Sequence, residues 1–310
     1  LEFRNFEGAL GGPIIKNRAF FFVNAEIQKD SRPQPFTPGV TGTYSIRDSV
    51  AKLVNFLKTK YNYDPGDYLN NPDDIDRLNI NSRFDFNINS KNKLTLSYRY
   101  TKTERVNPAR STNTTINFVN SAEYFPSTTH SGNAELNTKF NNKVNNKLRV
   151  SFTNVVDDRG PTGNPFPAVS LQSFNGGPTI NFGTEAASSA NLLKQTIINF
   201  YDAFKIYKGK HAFTLGADVD FNKSYNLFIH RAYSLYAYNN LGSGATTIGS
   251  LQAFMEDRGP QRLRRGYSLV DDNTKGGDLA TNSAANFKSI RLGFFVNDDI
   301  KINDKFTLTL

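Results

Sequence analysis

Short turns and long loops alternate along this chain, and the segments between them carry apolar side chains on one face only. The short turns fall at 11–17, 89–92, 141–146, 208–209 and 303–304, and the long connections span 29–77, 105–129, 158–192 and 223–286. Consecutive antiparallel strands reverse at every turn, so all the short turns gather at one end of a sheet and all the long loops at the other. Leu78, Ile80, Phe84, Phe86 and Ile88 alternate with Asn79, Asn81, Arg83, Asp85 and Asn87. Leu94, Leu96, Tyr98 and Tyr100 alternate with Thr95, Ser97, Arg99 and Thr101. Phe213, Leu215, Ala217, Val219 and Phe221 alternate with Thr214, Gly216, Asp218 and Asp220. A period of two puts each series on its own side of the strand.

Tight turns at one end, long loops at the other and one oily face per strand predict an all-β fold. Specifically, they predict an antiparallel transmembrane β-barrel portion with short periplasmic turns and long extracellular loops, in the outer membrane of a Gram-negative cell. The segments run about ten residues, enough to cross a bilayer when tilted. A charge on the lipid face costs roughly 2–4 kcal/mol at the midplane and about 0–1 near the interface. Only Asp202 and Asp298 fall on the outward series, each a few residues before a short turn, where the cost is small or a β-bulge re-aims the side chain.

Mean hydropathy is −0.50 and hydrophobic residues make up 38%. A barrel accommodates this because half of each strand and every loop are polar. No apolar run suffices for a transmembrane helix. There are no cysteines, hence no disulfide framework or thiolate metal site. Phe20, Phe21, Phe22, Phe84, Phe86, Phe140, Phe204, Tyr207, Phe213 and Phe306 gather beside the short turns, as interfacial girdles would, although Trp is absent. The chain opens without a signal peptide and stops inside an alternating strand. About ten strands are legible. An open strand edge is not tolerated in lipid, so we expect residues 1–310 to be an internal part of one larger barrel.

GALGGPIIKNRAFFFVNAE at 8–26 resembles the start of the barrel in Oar-like TonB-dependent receptors of the Bacteroidota type. RFDFNINSKNKLTLSYRY at 83–100, FGTEAASSANLLKQ at 182–195, GKHAFTLGADVDFNKSYN at 209–226 and FFVNDDIKINDKFTLTL at 294–310 resemble later hairpins of that family in order. The resemblance implies a barrel of about 22 strands closed by a plug domain. It also implies ligand capture by external loops and force transmitted by the TonB complex through the plug, neither plug nor TonB box being visible here. Arg83, Asp85, Arg99, Asp218 and Asp220 would then face the lumen. A surface lipoprotein, as in the SusC/RagA branch, or a secretion-system partner stays open, as does a structural or adhesive barrel without active uptake. A soluble all-β binding protein is the further rival, and the turn asymmetry argues against it.

Without the family, Gly11 and Gly12 allow positive φ, and Pro13 cannot sit in a central ladder. The glycines lack the context of a phosphate-binding loop. In loop 29–77, Ile46, Val50, Leu53, Val54 and Leu57 predict a helix, with Ser45 and Asp48 as a capping box. Its stripe suits a docked partner, and more simply suits packing against neighbouring loops. Arg258, Arg262, Arg264 and Arg265 can grip phosphate or carboxylate groups, lipopolysaccharide or an anionic substrate being natural ligands. Ion pairs with Glu256, Asp257, Asp271 and Asp272 are the alternative.

Tyr225, Phe228, Tyr233, Tyr236 and Tyr238 suit a stacking platform for a ligand, or simply packing within the loop. The net charge of +9 is spread over many elements with no nucleic-acid module, so no nucleic-acid partner is expected. The carboxylate pairs Asp73–Asp74, Asp157–Asp158, Asp271–Asp272 and Asp298–Asp299 lack calcium-loop spacing. His130, His211 and His230 lie far apart, and no nucleophile-elbow motif occurs. We expect no enzyme, no metal and no cofactor.

Overall fold

The computed structural model describes residues 1–41, 44–172, 177–243, 247–267 and 283–310. In chain order its elements begin with β1 (Glu2–Ile15), β2 (Ala19–Arg32), β3 (Val40–Thr41), β4 (Tyr44–Ser45), α1 (Ile46–Tyr61), β5 (Asp73–Asn87), β6 (Asn92–Asn107), β7 (Thr115–Asn117), β8 (Glu123–Lys139) and β9 (Val144–Arg159). They continue with β10 (Ala168–Leu171), β11 (Thr179–Phe182), β12 (Asn191–Lys208), β13 (His211–Phe228), β14 (Leu235–Tyr238), α2 (Ser250–Met255), β15 (Arg262–Arg264), β16 (Ala285–Lys301) and β17 (Thr307–Thr309). Ten strands form one antiparallel meander in the order β1-β2-β5-β6-β8-β9-β12-β13-β16-β17. No helix among the described residues is long and apolar enough to cross a membrane.

The register turns the alternation into faces. One row reads Tyr98, Gly132, Phe152, Ile198, Phe221 and Ile290 across six neighbouring strands. The apolar face is bare even on strands flanked on both sides, with Phe152 at 42%, Phe200 at 44% and Phe221 at 42% exposure. Burying one such side chain is worth about 1.5–3 kcal/mol, so a whole face of them calls for lipid rather than water. Phe152 lies over Gly132, where a Cβ would come within 2.7 Å of its ring.

The short turns explain themselves locally. Asn89 accepts from the amides of Lys91 and Asn92 at 2.9 and 3.0 Å. Asn141 does the same for Lys143 and Val144, and Asn303 for Lys305 and Phe306. Three turns thus share one device, an Asn carboxamide satisfying the amides that the ladder leaves behind.

Several expectations need correcting. The first turn is confined to 16–18, with Asn17 at φ 61. Gly11, Gly12 and Pro13 belong to β1, and the register shifts between Pro13 and Ile15. Gly11 is small because a Cβ would press on the Phe22 ring at 3.0 Å. The long strands run 14 to 18 residues rather than about ten. They continue past the apolar band, where Lys29–Asp76 and Lys102–Glu104 pair on the same face. Phe20 and Phe22 sit opposite Asp85 and Arg83, and Tyr207 opposite Ala212, so these three aromatics lie on the polar face and not in a lipid girdle. No bulge re-aims Asp202 or Asp298; Asp202 accepts from Asn146, and Asp298 meets His211 Nδ1 at 2.7 Å.

The long connections fold together over their end of the sheet. A second sheet, ordered β15-β14-β10-β11-β7, draws its strands from three of them. Helix α1, from the remaining connection, buries Ile46, Val50, Leu53 and Leu57 in one core with Ile116, Phe118, Val169, Leu171, Ile180, Phe182 and Phe254. The apolar stripe is therefore spent within the loops. Asp48 in the first turn and Lys58 and Lys60 in the last suit the helix dipole. The Ser45 side chain lies outside the described residues.

Candidate functional site

On the polar face, the five inward candidates fall in three successive rows. Arg99 shares a row with Asn24, Asn81, Ser131 and Thr153. Arg83 and Asp220 share the next, with Ser97, Asn133, Ser151, Asn199 and Arg291. Asp85 and Asp218 share the third, with Thr95, Glu135, Arg149 and Tyr201.

The carboxylates are all engaged. Asp85 takes Arg83 at 2.7 and 3.0 Å, Thr95 at 2.8 Å and Lys93 at 3.3 Å. Asn199 bridges Asp218 and Asp220 at 2.7 and 2.8 Å, and Arg291 closes on Asp220. Arg149 lies 5.1 Å over the Tyr201 ring, which stacks on Phe295. A Cβ on Gly216 would come within 2.6 Å of the Phe295 ring. Arg99 is exposed and has no carboxylate partner among the described residues, so its five donors face the space beside the wall.

In the cap, the seven sequence candidates separate. Tyr238 is 6% exposed and packs edge-on against Phe254 at 5.3 Å, and burial pushes its phenol up. Tyr236 packs against the same core. Tyr238 therefore offers no free stacking face, which corrects its assignment to a ligand surface, while Tyr236 stays half-buried. Arg258 is taken by Glu256 at 2.8 Å. Asp271 and Asp272 lie outside the described residues.

Arg262 and Arg264 lie on β15, which pairs with β14 through Ala237 and Leu235, and Arg265 follows. All three are exposed and without a carboxylate partner among the described residues. Gly266 fixes this segment: a Cβ there would sit 2.0 Å from the His230 carbonyl oxygen, and its amide donates to Arg231. Arg265 and Tyr233 line one cleft of about 280 Å³ with Phe166, between Pro165 and Pro167. Phe166 in turn stacks on Tyr63 at 4.1 Å, which ties the cleft to the cap core.

Phe166 was not singled out in the sequence, and no local signal marks it. The adjacent acids of each described carboxylate pair point to opposite faces; Asp298 meets His211 while Asp299 accepts from Thr309 on the other side.

A ten-stranded one-sided meander with tight turns at one end and a folded loop cap at the other defines an outer-membrane β-barrel. The chain belongs to the outer membrane beta barrel domain family, whose model matches residues 28–310. Among solved structures it is similar to the outer membrane transporter YddB from Escherichia coli, at 9% identity and TM-score 0.54. That match covers 96% of this chain and 32% of that one. It is also similar to the ferric-catecholate import receptor Fiu from E. coli K12 in its open form, at 12% identity and TM-score 0.44, covering 97% of this chain and 45% of that one. The chain thus spans less than half the length of either. No curated protein matches it.

Proposed function

We propose that residues 1–310 form part of the wall and loop cap of a TonB-dependent receptor of the Oar-like type. The receptor would carry an unidentified ligand across the outer membrane into the periplasm. The observation that carries this reading is the likeness to an outer membrane transporter over nearly the whole chain, while the chain spans only 32% of that protein. A ten-stranded meander whose end strands β1 and β17 each have one neighbour among the described residues needs further strands to close. The remaining wall and the plug would come from residues outside this chain.

In this reading the polar rows around Arg83, Asp85, Arg99, Asp218 and Asp220 line the lumen. Arg99, unpaired among the described residues, is available to a carboxylate of the plug. Arg262, Arg264 and Arg265 with Tyr233 form the external contact surface for an anionic group of the ligand. The experiment is uptake by cells carrying the full-length protein, with and without TonB. Energised uptake lost without TonB supports transport. Ligand or partner binding that persists while uptake is absent in both strains points instead to a structural, adhesive or secretion-partner barrel. Arg262→Gln with Arg264→Gln and Arg265→Gln should weaken capture of an anionic ligand by about tenfold or more, from charge-assisted bonds worth roughly 1.5–3 kcal/mol each.

A further inference from the structure

Between the polar Thr196 and Lys208, the outward side chains of β12 are Ile198, Phe200, Asp202, Phe204 and Ile206. The middle member of this lipid-facing stripe is a carboxylic acid. Its row across the wall is otherwise apolar, with Leu94, Leu136, Leu148, Ala217 and Phe294 on the successive strands. The centre of the stripe is the centre of the hydrocarbon, where an ionisable group is costly and marks a function.

Asp202 is half-buried, on a strand with a neighbour on either side. Asn146 on β9 donates from Nδ2 to Asp202 Oδ1 at 2.5 Å and to the Ala203 carbonyl oxygen at 3.2 Å. Both amide hydrogens are thereby used. Asp202 Oδ2 and Asn146 Oδ1 have no partner among the described residues. Ala217, directly opposite Asp202, is the smallest outward side chain of β13. With Asp202, Phe204 and Leu215 it helps to line a hollow of about 450 Å³. The nearest connections are the short turns at 140–143 and 209–210, all of whose residues are described.

We infer that this face is where two copies of the chain meet in the membrane, Asp202 and Asn146 of each against those of the other. Acyl chains offer no hydrogen bond at this depth, and headgroups and water lie beyond the two ends of the stripe. The occupant must therefore bring a polar group to mid-bilayer. A second copy does so by symmetry, because a twofold axis along the membrane normal keeps every residue at its own depth. As the neutral acid, Asp202 donates from Oδ2 to Asn146 Oδ1 of the second copy, and the same bond recurs in the other direction. The hollow beside Ala217 lets the two surfaces approach. The inference rests on the outer-membrane setting and not on transport, so a failed uptake assay leaves it standing.

The test uses the full-length protein, labelled with donor or acceptor fluorophore and reconstituted into lipid vesicles at low protein-to-lipid ratio. Energy transfer between copies should report association of the wild type. Asp202→Leu should weaken it about tenfold or more, because two bonds go at once. Asp202→Asn keeps a donor at the same place and should retain association. Leu96→Ala, on the lipid-facing side of β6, should leave it unchanged. No transfer in the wild type, full transfer in Asp202→Leu, or equal loss in Leu96→Ala overturns the proposal. If Asp202→Leu does not fold, cross-linking carries the test. With any other cysteines removed, Phe204→Cys should join two copies on oxidation in native membranes and Leu96→Cys should not. Equal cross-linking at both positions, none at Phe204→Cys, or cross-linking only to a different protein overturns the second copy as the occupant.

Discussion

Tyr233 and Tyr238 stand five residues apart and end in opposite environments, one lining an open cleft and the other buried against Phe254. Nothing in their local sequence separates them, because their fates depend on packing between loops far apart in the chain. Leu53 is the converse case: its place on the stripe of α1 was legible, and it is fully buried. Leu53→Ala should cost the cap about 2–5 kcal/mol, read as faster amide exchange over α1 with the ladder strands unaffected. At the end of α1, Asp64 accepts from Lys58 at 2.8 Å and from the Gly66 amide at 3.0 Å. Lys58 first, then the amide, hold its carboxyl below the usual carboxylate range. A depressed folded value contributes stability above the unfolded pKa of about 3.9. That stability is lost as pH falls through the folded value. Asp64 is largely exposed, so screening keeps the effect small. Titration of its carboxyl carbon by NMR should give a midpoint below about 3.9, and a midpoint at or above that value contradicts the contact.

At the scale of elements, the period of two was enough to assign the faces, because each side chain's face follows from its parity along the strand. Strand ends were harder to read. The ladder continues where the lipid stops, and polar residues such as Lys102 and Glu104 then occupy the apolar face and hide the alternation. The Gly-Gly-Pro segment misled for a related reason: its glycine answers to the Phe22 ring on the neighbouring strand, a contact no local pattern records. The Asn turns are self-contained. Asn89→Ala removes the acceptor of two amides, and each lost bond is worth about 0.5–1.5 kcal/mol. The β5–β6 hairpin should exchange its turn amides faster, while the Asn141 turn keeps its protection. Equal protection in wild type and variant would mean that the carboxamide does not hold the turn.

For the whole molecule, the sequence showed an end with tight turns and an end with long loops, but not that the long loops share one core. That core joins Ile116, Leu171, Phe182 and Phe254 with α1 from all four long connections, and such non-local contacts leave no periodic trace. One face of the ten-stranded wall meets lipid and the other meets water. Because this chain has no cysteine, single substitutions along β13 report on it directly in the full-length protein, provided any cysteines elsewhere are removed. Phe213→Cys, Leu215→Cys, Ala217→Cys, Val219→Cys and Phe221→Cys, each carrying a fluorophore in bilayers, should be quenched by a lipid-borne quencher. Thr214→Cys, Asp218→Cys and Asp220→Cys should answer to an aqueous quencher instead. Strict alternation is expected, and uniform aqueous access along the strand would mean that the apolar face does not meet lipid.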